Sequence, residues 1–160
     1  MNLYRKIIFA FVIAVMHLLS SETMSQAQEK ESLLINELVT RHPSYSQESL
    51  IALMGSEDDL VNTLLDLRRS SKPPVLGPRC EKLLISFAHR QDVKLALLDD
   101  VRSDLYFGLT SIVLSSLPDI ADKDFRNELA SEAIGNSKAS STNVHRYKAI
   151  ISELPSKTLK

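Results

Sequence analysis

The chain has 160 residues, 44% hydrophobic, 24% charged and 6% aromatic, with no Trp, a single Cys and a net charge of −1. The near-neutral balance excludes the basic footprint of a general nucleic-acid binder, and one Cys excludes a disulfide framework within the chain. Gly55, Gly77, Gly108 and Gly135 stand too far apart to build a phosphate-cradling loop, and their scarcity favours helices over turn-rich β structure.

Arg5 and Lys6 precede an uncharged run from Ile7 to Ser21, and a polar stretch from Glu22 to Gln26 follows. This is the order of a secretory signal, and Ser25 and Ala27 supply the small residues a signal peptidase reads, so cleavage after Ala27 is expected. The run is short for a membrane span, which needs about 20 apolar residues across a hydrocarbon core of roughly 30 Å. Residues 1–27 are therefore read as a signal peptide and 28–160 as a single all-helical domain. That mature chain would have a net charge of −2, would be periplasmic or secreted, and would have no membrane association. Retention of residues 1–27 would instead give an N-terminally anchored envelope protein.

Leu33, Leu34, Leu38 and Val39 recur at helical spacing over residues 31–42 and stop before Pro43, whose ring disfavours helical geometry in the residue ahead of it. Ser44 through Gln47 has the spacing of a capping box opening a short helix to Met54, with Gly55 free to close it in the left-handed conformation. Ser56 opens a third helix, expected to reach Arg69, before Pro73 and Pro74 break it. Pro78 suits a first helical position, ahead of an amphipathic run through Cys80, Leu83, Leu84 and Phe87 that predicts a buried, inert thiol. Asp92 is expected to cap the next helix, with Val93, Ala96, Leu97, Val101 and Leu105 as its stripe; a division at Ser103 or Asp104 leads into Leu109, Ile112, Val113 and Leu117, ended by Pro118. Phe125, Leu129 and Ala133 mark another helix up to Gly135. Val144, Tyr147, Ile151 and Leu154 mark the last, ended by Pro155.

The sum is an all-α chain of seven or eight short helices, arranged as stacked helical hairpins or as an irregular bundle. Cys80, Leu83, Leu84 and Phe87 share a three-four-seven apolar skeleton with Leu109, Ile112, Val113 and Ser116, and with Tyr147, Ile150, Ile151 and Leu154. Each of these segments follows another amphipathic helix, giving pairs about 30 to 40 residues apart, the period of stacked α-solenoid repeats. Over residues 57–155 this resembles a degenerate HEAT-type repeat array. The segment from Asp99 to Arg102 also resembles the Asp and Val-Arg signature of a HEAT turn; pairing it with the following helix moves the middle register from Leu109 to Leu105. The resemblance implies a stack of helical hairpins and a surface for partners.

Chemistry is sparse. His42, His89 and His145 are far apart and lack the spacing of a zinc site; no metal or cofactor is expected. His42 and His89, at helix ends, are read as favouring the C-terminal dipole. No nucleophile elbow accompanies any Ser, and Cys80 lacks a neighbour that would hold a thiolate. The pairs Asp58–Asp59 and Asp99–Asp100 occupy consecutive helical positions that point apart, so neither makes a carboxylate dyad by spacing. Charge is uneven: Arg68, Arg69, Lys72, Arg79 and Lys82 cluster around the Pro-Pro loop with Glu81 opposing them, while Asp92 to Asp124 is rich in Asp. One end basic and another acidic would steer a charged partner, and Tyr45 or Tyr106 beside either patch would add an anchor. The expected function is an exported, non-catalytic module that binds another protein, with Arg68, Arg69, Lys72 and Arg79 as contact residues. An immunity-like inhibitor in the periplasm is a subtype suggested by analogy alone. The rival is a periplasmic enzyme whose site would require Asp99, Asp100, Arg102 and His145 to converge.

Overall fold

A computed structural model describes residues 26–40, 45–69, 73–104, 107–155 and 158–159. Among these the chain is all-α, and no strand occurs. The helices are α1 (26–39), α2 (Gln47–Met54), α3 (Glu57–Leu67), α4 (Leu76–Ile85), α5 (Gln91–Ser103), α6 (Phe107–Ser115), α7 (Lys123–Gly135) and α8 (Ser141–Glu153), with a 3₁₀ turn at Leu117–Asp119 after α6.

Side-chain partners at the helix ends explain where the observed boundaries differ from the periodicity. The box that opens α2 is formed by Ser46 and Ser49, each hydroxyl accepting the other's backbone N–H; Ser44, where the sequence placed its start, lies outside the described residues. The α3 helix stops at Leu67, and Arg68 and Arg69 lie in the turn beyond it. Pro78 occupies the third position of α4, which tolerates it because first-turn N–H groups have no intrahelical acceptor. The residue before α5 is Arg90; Asp92 lies inside the first turn, where it accepts from Val93 N–H and from the Arg90 guanidinium. The α5 helix ends at Ser103, with Asp104 left-handed at φ 47°.

Contacts arrange the helices in two rows. Helices α3, α5 and α7 are neighbours in one row, α4, α6 and α8 in the other, and α3–α4, α5–α6 and α7–α8 pack across as consecutive helix pairs, with α2 against α3. The segments that share the apolar skeleton are the helices of the second row, and their first positions, Cys80, Leu109 and Tyr147, are all buried. Leu105 lies outside the described residues, so the competing register is not placed. Between the rows Leu60, Leu64, Leu84, Phe87, Leu97, Val101, Val113, Leu117 and Leu129 form a continuous, mainly aliphatic core. Burial at about 25 cal/mol per Å² of apolar surface is what holds such an assembly together.

Candidate functional site

A buried polar cluster sits where the end of α3 meets α5. Asp99 and Asp100 diverge as consecutive helical residues must: Asp99 faces outward and Asp100 inward, with 62% and 3% of their side chains exposed. Arg68 Nε donates to Asp100 Oδ2 at 2.9 Å and its Nη1 to the Leu65 carbonyl at 2.8 Å. Arg69 Nη2 donates to Asp100 Oδ1 at 2.8 Å and to Asp99 Oδ2 at 2.5 Å, so two guanidinium groups grip one buried carboxylate. Thr110, buried on α6, donates its hydroxyl to the Asp100 carbonyl at 3.3 Å.

Glu81 on α4 lies beside this clasp, fully buried, and neither carboxylate oxygen has a hydrogen-bond partner among the described residues. Burial pushes its carboxyl up to about 8, and the Asp100 charge adds to the rise, while Arg68 and Arg69 oppose it. Next to it the Cys80 thiol is buried and pushed up to about 12, mainly by burial and then by Glu81, as an inert core thiol would be.

The four residues expected to touch a partner therefore have different fates. Arg68 is turned inward with its side chain only 10% exposed. Arg79 donates to the Leu38 and Thr40 carbonyls, tying the end of α1 to α4 in the position where a cation complements the helix dipole. Lys72 lies outside the described residues. Arg69 keeps 39% of its side chain in solvent. Ala27 is exposed in the first described turns of α1, ahead of Leu34, the first buried residue of that helix.

The residues proposed for an enzyme do not converge. Arg102 reaches across to Glu132 at 2.6 Å and Glu128 at 3.5 Å on α7, away from the Asp100 clasp, and His145 is exposed on α8. His89 is exposed, 3.9 Å from Glu57, and borders a cavity of about 300 Å³ together with Ser86, Lys94, Asp119 and Asp122. There the Ser86 hydroxyl donates to the Leu83 carbonyl at 2.7 Å, and Lys94 pairs with Asp122 at 2.5 Å. His42 and Tyr106 lie outside the described residues; Tyr45 is half-buried, with Arg79 and Cys80 close enough to act on its charge. Among the described residues no group of three His, Cys, Asp or Glu could hold a metal ion, and no helix is long and apolar enough to cross a membrane.

Two features were missed from the sequence. Glu81 reads there as a lone charge opposing a basic cluster, and nothing local signals that it is buried. Leu95 is 56% exposed, the most exposed large apolar side chain described, and it shares the outer face of α5 with Asp92, Asp99 and Arg102. Its signal was available: it falls off the apolar stripe of Val93, Leu97 and Val101. The chain matches no protein-family model, no curated protein and no solved structure.

Proposed function

We propose that this chain is an exported, non-catalytic helical module that binds another protein through the outer face of α5 and the adjoining end of α3. The observation that carries the reading is Leu95, an apolar side chain held out in solvent on a rigid helix between the Arg90–Asp92 and Arg69–Asp99 ion pairs. An exposed apolar residue framed by arginine and carboxylates has the make-up of an interface anchor with a polar rim. The two-row stack of helix pairs and the skeleton common to α4, α6 and α8 support a degenerate HEAT-type array, in which such faces serve recognition. Export rests on the pattern of residues 5–27, and periplasmic or secreted placement follows from it.

The test is recovery of the partner from envelope extract by crosslinking to the wild-type chain, to Leu95→Asp and Arg69→Gln, and to Lys138→Glu in the α7–α8 loop as control. Capture should survive the control and drop at least tenfold, about 1.4 kcal/mol, in the first two. Equal recovery by all four chains would remove the α5 face from the proposal. N-terminal sequencing of exported material should begin at Gln28; a first residue at Met1 would favour the anchored alternative.

A further inference from the structure

Independently of any partner, the position of Glu81 asks for a ligand. A carboxyl with no solvent exposure and no described hydrogen-bond partner is costly to bury as an anion, and taking up a proton removes that cost. We propose that Glu81 is a proton-binding site that sets the state of the α3–α5 arginine clasp, neutral while Arg68 and Arg69 hold Asp100 and competing for those arginines once its proton has left to solvent.

The charged surroundings of Glu81 fix what happens on ionisation. Arg68 and Arg69 at the end of α3 and Asp100 on α5 lie near enough to act on its charge without hydrogen-bonding to it. Helix α6, packed against α4 as well, has no titratable residue between Phe107 and Ser115 and presents Thr110 as its buried polar group. On α4 itself Cys80 stays protonated, and Arg79 is engaged by the α1 carbonyls. Tyr45, from the segment before α2, interacts with Cys80 and Arg79. Among the described residues, a second buried negative charge near Asp100 draws on the two guanidinium groups that already serve Asp100 and Asp99. Moving Arg68 toward Glu81 weakens its grip on Asp100, and Arg69, which bridges to exposed Asp99, is the remaining link between the end of α3 and α5.

The sign follows from linkage. Between the ordinary value of 4.5 and about 8 the folded chain holds a proton on Glu81 that the unfolded chain has released, so stability is greatest below that window and falls as pH rises through it. Urea denaturation of the full chain would be followed across this range for the wild type and Glu81→Gln. The ratio of their unfolding constants should rise about tenfold per pH unit and level off near pH 8. In the wild type alone, the infrared band of a protonated carboxyl should be present at neutral pH and vanish on the same titration. The Arg68 Nε–H resonance should shift along that curve, and stay flat in Glu81→Gln. Parallel stability profiles for the two chains, no protonated-carboxyl band at neutral pH, or an Arg68 resonance indifferent to pH would each overturn the proposal. The infrared arm needs no variant and stands even where Glu81→Gln fails to fold.

Discussion

The pairing of Arg68 and Arg69 with Asp100 settles which single substitutions should matter most. A buried ion pair contributes little net stability, since desolvation offsets its Coulomb energy, but removing one partner leaves the others uncompensated. Asp100→Ala strands the nearly buried Arg68 guanidinium, whereas Asp99→Ala removes only an exposed pair. The first should destabilise the chain by about 3–5 kcal/mol and the second by about 1 kcal/mol or less in denaturant unfolding. Equal effects would show that Asp100 is not the centre of the clasp. The divergence of Asp99 and Asp100 was legible from helical geometry alone. Their partners were not, because Arg69 and Asp100 lie 31 positions apart and nothing in local spacing selects that pairing over another.

At the scale of elements, periodicity located the helices and the Pro and Gly punctuation between them, while side chains reaching across chain distance set their boundaries. Arg90 stands at the start of α5 because its guanidinium is held by Asp92, Asp58 and Glu57, a three-way contact no window of the sequence displays. Gly55 was readable as a helix stop, and it adopts φ 101° with its N–H on the Ile51 carbonyl. Its neighbour's role was not readable: Lys30 of α1 donates to the Met54 carbonyl at 2.9 Å, so one junction closes α2 and docks α1. A Cβ at position 55 would sit 3.2 Å from Lys30 Nζ, which can swing away, leaving the left-handed backbone as the main cost. Gly55→Ala should therefore lower stability by about 1–2 kcal/mol, and Gly55→Asn, which tolerates that conformation, by clearly less, both measured by thermal unfolding. An equal loss for Asn and Ala would place the cost in the Lys30 contact instead.

At the scale of the whole molecule, charges that lie unevenly along the chain form a ladder of cross-helix pairs among the described residues. Arg69 meets Asp99 between α3 and α5, Arg90 ahead of α5 meets Asp58 on α3, and Arg102 of α5 meets Glu132 on α7. Each exposed rung is weak and salt-screened, so the aliphatic core must supply the stability and the rungs the register between neighbours. In a stack whose helices touch only adjacent members, opening is expected to begin at an end. Helix α8 lies at one end of the described stack, with Tyr147 as its one fully enclosed residue, whereas α5 encloses Val93, Leu97, Leu98, Asp100 and Val101. Tyr147 holds α8 by stacking on Phe107 at 5.5 Å and by donating its hydroxyl to Asp104, whose other oxygen accepts from Asn143 at 3.0 Å. Native-state hydrogen exchange should accordingly show α8 amides exchanging faster than those of α4 and α5. Tyr147→Phe removes a part-buried hydrogen bond to a carboxylate, worth about 1.5–3 kcal/mol, and should speed α8 about tenfold or more while leaving α4 unchanged. Uniform exchange across all helices, or an equal acceleration of α4 in the variant, would mean that the rows open as one cooperative unit and that the neighbour-only stack is the wrong description of their energetics.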